Sequence, residues 1–156
     1  MIYVRKFNLG DENAIYQLFY DAVHEINKQD YTSEQLDVWA PKFPDLSVWK
    51  KRLSNSYTLV AVDSISENIV GFIGIEKTGY LDHIYVHKDY QNMGIAKLLL
   101  LEIEKKAQEL GLNKLFSDVS ITAKPAMEKL GFVSYEQKTR DKGGVVFIQY
   151  AMVKEL

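Results

Sequence analysis

The 156-residue chain contains no cysteine. Disulfides, thiolate-bound zinc and a thiol nucleophile are thereby excluded, and the composition fits a reducing cytosol. An excess of one charge is missing too: 19 Lys and Arg stand against 21 Asp and Glu, a formal net charge of −2. Such a balance supplies no bulk field for a nucleic acid, so any anion site has to be local. No run approaches the ~18 consecutive apolar residues of a membrane span. The start, MIYVRKFN, alternates like a strand and lacks the pattern of a signal peptide. Repeats, low-complexity tracts and a second core are likewise missing. The expectation is a soluble, cytoplasmic protein with no membrane or nucleic-acid partner, built as one domain over residues 1–156.

What the chain does have is 47% hydrophobic residues in readable periods. IYVRKF (2–7) alternates as a half-buried strand does, and Gly10-Asp11 offers a break and a helix cap. Ile15, Leu18, Phe19, Ala22, Val23 and Ile26 then recur at the three-and-four spacing of a helix face. From Lys28 to Phe43 the period fades into a polar and aromatic stretch closed by Pro41 and Pro44, which reads as an irregular substrate loop. Asp45 caps a short helix with Leu46, Trp49 and Leu53 inward. Residues 58–63, 68–76 and 81–87 read as an antiparallel meander.

Ala96, Leu99, Leu100, Ile103, Ala107 and Leu110 mark the clearest helix, with a Glu102–Lys106 pair outside and Gly111 as its stop. A strand at 114–120 follows, then a helix capped by Thr122 with Pro125 in its first turn and Gly131 at its end. Strands at 132–140 and 145–153 flank a D-K-G-G hairpin turn. The order predicts an α/β fold: a mixed, mostly antiparallel sheet of about seven strands flanked by about four helices.

The element that points to chemistry is LDHIYVHKDYQNMGIAKLLL (81–100): strand, short turn, glycine-containing loop, helix. Backbone amides at such a helix mouth are donors without partners at the positive end of the macrodipole, suited to a phosphate. No G-K-[ST] follows, so this is not a P-loop, and one glycine of three does not make the dinucleotide fingerprint. That disfavours a nucleotide-binding regulator.

Q-N-M-G-I-A (91–96) resembles the [QR]-x-x-G-x-[GA] pyrophosphate loop of the GNAT superfamily of acyl-CoA-dependent N-acetyltransferases, and it follows a strand ending I-Y-V-H. S-I-T-A-K-P-A-M-E-K-L-G-F (120–132) is similar to that family's second signature. The order of elements along the whole chain is also the family's. The resemblance implies acetyl-CoA as cosubstrate, no metal, and a small-molecule or peptide amine as acceptor; a homodimer is compatible with it. It implies that the pantetheine arm pairs with the main chain of Ile84, Tyr85 and Val86. It places the pyrophosphate on Gln91, Asn92, Met93, Gly94, Ile95 and Ala96, with Lys97 near. Ser120 stands where many members have a cofactor-contacting Asn, and Ala123 and Lys124 are expected in the same channel. Met127 stands where many members have the Tyr that protonates the leaving thiolate, and Met cannot donate a proton.

An acceptor amine with a pKa near ~10.4 is almost wholly protonated at neutral pH, so something has to take its proton. The resemblance places that base on the strand before the loop, at Asp82 or Tyr80, with Glu76 as a fallback. Strict alternation puts Tyr80, Asp82, Ile84 and Val86 on one face and His83 and His87 on the other. A carboxylate is a weak base near neutrality, so burial or an intervening water would have to assist Asp82. His24, Tyr31 and Trp39, from the region between the first helices, are the expected acceptor wall. Two readings result: an N-acetyltransferase, and a non-catalytic acyl-CoA-binding sensor that uses the same loop.

Overall fold

The computed structural model describes residues 1–156. In chain order the elements are β1 (Ile2–Lys6), α1 (Glu12–Ile26), α2 (Ser33–Trp39), α3 (Leu46–Asn55), β2 (Tyr57–Asp63), β3 (Ile69–Ile75), β4 (Leu81–Val86), α4 (Ile95–Glu109), β5 (Lys114–Ser120), α5 (Lys124–Lys129), β6 (Val133–Lys142) and β7 (Val145–Glu155). They form an α/β fold with two antiparallel sheets, ordered β1-β2-β3-β4 and β5-β7-β6. A single parallel bridge, Tyr80 to Phe116, joins them. No helix is long and apolar enough to cross a membrane.

The four-stranded sheet is covered on both faces, which is why β2 and β3 read as nearly continuous apolar runs. One face carries α4, whose Ile95, Leu99, Leu100, Ile103 and Ala107 are buried against Ile73, Ile75 and Leu81. The other carries α1 and α3, where Ile15, Phe19, Val23, Trp49 and Leu53 close over Val60, Val62 and Phe72. Gly71 sets how closely α4 approaches. A Cβ at that position would lie 3.0 Å from Ile95 Cγ2 and 3.2 Å from Leu99 Cδ1. The lack of a side chain there seats the first turn of α4 beside the end of β4.

Several local expectations change. The stretch from 28 to 43 is not wholly irregular: Thr32 and Gln35 form a reciprocal capping box and start α2, making five α-helices. Asp45 caps α3 as expected, its carboxylate accepting from Ser47 N–H at 3.0 Å. Asp11 does not cap α1 with its side chain, which lies on Arg5 at 2.8 Å. Thr122 does not cap α5 either, because its hydroxyl donates to Asp30 at 2.8 Å. Leu110, beyond the last turn of α4, is 45% exposed. Glu102 pairs with Lys105 rather than Lys106, at 3.0 Å.

Filling the gap at Gly71 should push α4 away from β3. Gly71→Ala is expected to cost about 1–3 kcal/mol through overpacking. For a chain of this length that lowers Tm by roughly 3–10 °C. Calorimetry checks it, and an unchanged Tm would show that α4 does not rest on this contact.

Candidate active site

The two sheets touch at one corner. Phe116 N–H donates to Gly79 C=O at 3.1 Å, and the Ser117 hydroxyl donates to Leu81 C=O at 2.8 Å. Beyond that corner β4 and β5 diverge, opening a cleft of about 200 Å³. Its walls are β4 from Leu81 to Val86, then Ser117, Val119 and Ser120 of β5, and Ala123, Ala126, Met127 and Leu130 around α5. His87 N–H donates to Val70 C=O, so by the alternation of an antiparallel ladder the peptide groups of Ile84 and Val86 turn from β3 toward the cleft. Those of Tyr85 face Phe72 across the ladder.

At the far end of β4 the chain enters the loop 91–96. The Gln91 side chain latches the loop to the strand by donating to Val86 C=O at 2.8 Å. Asn92 and Gly94 take positive φ, 60° and 80°, and the curl aims successive amides outward. At the mouth of α4 the N–H groups of Gly94, Ile95, Ala96 and Lys97 have no acceptor in the chain. A Cβ on Gly94 would meet nothing within 4 Å, so the space over these donors is open. Met93 and Lys97 are exposed beside it, while the Ile95 side chain is buried and only its amide can serve a ligand. Ser120 and Ala123 line the cleft, and the Ser120 hydroxyl accepts from Ala123 N–H at 3.1 Å. Lys124 does not line it: its ammonium lies 3.4 Å from Glu128 and over the Tyr150 ring.

A second cleft, of about 300 Å³, opens on the other side of β4. Trp39, Asp82, His83 and Tyr85 border both clefts. That arrangement corrects the alternation argument. Between Gly74 and Ile75 the β3–β4 register slips by one residue, a bulge that puts Leu81 with Ile84 and Val86 against α4 and turns Asp82 and His83 together toward α3. Asp82 lies 3.2 Å from Arg52, and its second oxygen lies 3.3 Å from His83 Nδ1. His83 is buried, stacked on Trp49, and burial pulls its pKa from 6.5 down to about 4 although the Asp82 charge opposes this. The ring is therefore neutral near pH 7. Tyr80 lines the second cleft, with its hydroxyl 3.4 Å from Asp118, and burial pushes it up to about 12.

The remaining expected residues divide. Glu76 is exposed on the turn before β4 and borders neither cleft. His24 Nε2–H donates to Ala40 C=O at 2.8 Å, and the residue also borders neither. Tyr31 is buried; its hydroxyl donates to Ile148 C=O and accepts from Ile121 N–H, tying α2's entry to both halves of the second sheet. Trp39 stands between the clefts. Met127 is 2% exposed and presents no proton donor, and Tyr135 on β6, 63% exposed, lines neither cleft and cannot stand in for it. Sequence reasoning missed Arg52, Arg140, Lys142 and Gln149, all lining the second cleft. The alternation K-T-R-D-K in 138–142 was the only signal for Arg140 and Lys142, and it resembles an ordinary solvated strand.

Residues 27–154 match the sequence profile of the acetyltransferase (GNAT) domain. The chain belongs to the GNAT acetyltransferase superfamily. It is 34% identical over 152 residues to the N-acetyltransferase YafP of Escherichia coli, covering 97% of this chain and 94% of that one. A GCN5-related N-acetyltransferase from Rhodopseudomonas palustris superposes with a TM-score of 0.93 at 27% identity, over 99% of this chain and 95% of the other. The PaiA N-acetyltransferase of Thermoplasma acidophilum, solved with coenzyme A, shares the fold at 19% identity with a TM-score of 0.82, over 100% and 99% of the two chains. This chain carries the Q-N-M-G-I-A loop and has Met127 within its second signature run.

His83 gives the site a signature in stability. Its folded pKa, about 4, is below the ordinary 6.5, so the unfolded chain takes up a proton first as pH falls. Stability contributed by neutral His83 is present above 6.5 and is lost on the way down to about 4. Urea unfolding across pH 7 to 5 should show this loss, flattened in His83→Gln; an identical slope in the variant would mean that His83 is not held neutral.

Proposed function

We propose that this GNAT enzyme, as one domain, transfers an acetyl group from acetyl-CoA to a primary amine of a small molecule or peptide by direct attack in a ternary complex. The observation that carries the reading is that two clefts meet at Asp82, one leading to a loop of free amides and the other open to an acceptor. The pyrophosphate lies on the amides of 91–97, where orphan donors and the helix dipole favour an anion. The pantetheine arm adds to the free edge of β4 at Ile84 and Val86, as an extra strand would. That PaiA, which has the same fold, was solved with coenzyme A is in keeping with a coenzyme A thioester as the ligand.

On the acceptor side the ammonium meets Asp82, which takes its proton directly or through a water, and the freed amine attacks the thioester carbonyl. The C–N bond forms, the C–S bond breaks and CoA leaves as thiolate, while the acylated nitrogen gives its remaining extra proton to water or to the departing thiolate, which leaves a neutral amide. A thiol with a pKa around ~8.5 departs tolerably as the anion, so Met127 in place of an acid does not block the step. Glu76 lines neither cleft, and Tyr80, which burial pushes up to about 12, is protonated near neutrality, so both stand behind Asp82 as acceptors of the proton.

Two measurements test this. Acetyl-CoA should raise the Tm of the wild type and much less that of Gly94→Val, which puts a β-branched side chain into a left-handed position over the amides at an intrinsic cost of about 1–2 kcal/mol. Equal ligand stabilisation in both would remove the loop from the site. Asp82→Asn should lower kcat by about 10²–10⁴-fold, the usual scale of general-base loss, with acetyl-CoA affinity within a few-fold. Turnover near that of the wild type would remove Asp82 as the base, and tight acetyl-CoA binding without turnover on any amine would favour the sensor.

A further inference from the structure

The second cleft has a charge pattern that the acetyl-transfer chemistry does not need. Lys138, Arg140 and Lys142 alternate along β6 and share a face, at a spacing of roughly 7 Å per pair of residues. Lys138 is neutralised by Asp118 at 3.1 Å. Arg140 and Lys142 line the cleft and have no ion-pair or hydrogen-bond partner, while Arg52 across from them is held by Asp82. The cleft's other carboxylate, Asp45, is occupied as the cap of α3. What remains facing the space is therefore two cations.

Arg140 and Lys142 are exposed at the mouth of the cleft. Partial desolvation, together with the like charges of Arg140 and Arg52, lowers the pKa of Lys142. An anion between the two side chains would remove the repulsion and gain charge-assisted hydrogen bonds, bidentate at the guanidinium. A second positive charge on the acceptor would add to it.

We propose that the acceptor is a small primary amine bearing an oxyanion, carboxylate or phosphoryl, which Arg140 and Lys142 bind while the amine meets Asp82. This rests on the transferase reading above. The cleft volume of about 300 Å³ is at the small end of ligand sites, so the acceptor has the size of an amino acid or an aminoalkyl phosphate. The adjoining Trp39, Tyr31 and Phe147 rings would pack an apolar side chain. A polyamine or lysine-rich peptide is disfavoured by the same charges.

The test uses matched acceptors with the full-length protein and acetyl-CoA: L-amino acids, their amides, the decarboxylated amines, aminoethyl phosphate, and spermidine. The kcat/KM for an anionic acceptor should exceed that of its amide by about 10- to 100-fold, the worth of one or two charge-assisted contacts. The carboxylate and phosphate arms identify which oxyanion is preferred. In Arg140→Gln and Lys142→Gln this ratio should fall toward one, and Arg140→Lys should retain part of it. Amides or spermidine acetylated as well as the amino acids, or a ratio unchanged in both Gln variants, would overturn the proposal. Calorimetric titration of the same panel into the CoA-bound protein separates the two claims. Binding of anionic amines that weakens in the Gln variants without any turnover would support the oxyanion site and sink the transferase reading; turnover confined to neutral amines would do the reverse.

Discussion

The proposed chemistry depends on β4 and β5 meeting at one corner and then parting. Had the two strands paired along their length, as neighbours in a continuous sheet, the peptide groups of Ile84 and Val86 would be satisfied by β5 and no cleft would exist. The Ser117 hydroxyl on Leu81 C=O fixes the corner, and the apolar side chains of β5 and α5 keep the strands apart beyond it. A free strand edge is ordinarily a hazard, because its donors and acceptors invite pairing with another chain. Here the edge is recessed between two sheets, so that only an extended, narrow ligand can reach it.

Charge is organised on the same principle of local separation. The chain as a whole is nearly neutral, at −2, yet its charges are not mixed evenly. Cations of β6 and α3 converge on one cleft, and a single carboxylate stands at the junction with the other. His83 is kept neutral beside that carboxylate by burial against Trp49 and Phe72, so it modifies the site without adding charge. Global composition could not have revealed this, since it counts charges without regard to where they point.

The sequence was informative wherever a long period or a fixed turn decided the outcome. The stripe of α4, the two sides of α1, the D-K-G-G hairpin and the loop before α4 are each local patterns with one dominant solution. It failed at α2, where seven residues are under two turns and show no period, although the Thr32 and Gln35 box was a start signal. It failed again at Asp82 and His83, because one extra residue in a ladder reverses the face of everything before it and no propensity marks that residue. Thr122, Asp11 and Glu102 were misread for another reason: each side chain had a local partner and a tertiary one, and only packing decides between them. Arg52 of α3 and the Arg140 and Lys142 pair of β6 lie far apart in the chain and converge only once the sheets are assembled.

Trp39 borders both clefts, and the two cannot be reshaped independently at that wall. On the proposed assignment of the clefts, trimming the indole to admit a bulkier acceptor would also widen the passage for the thioester and loosen the alignment of the two reactants. Drift in acceptor preference would then fall to residues such as Val48 on α3, which borders the second cleft and not the first.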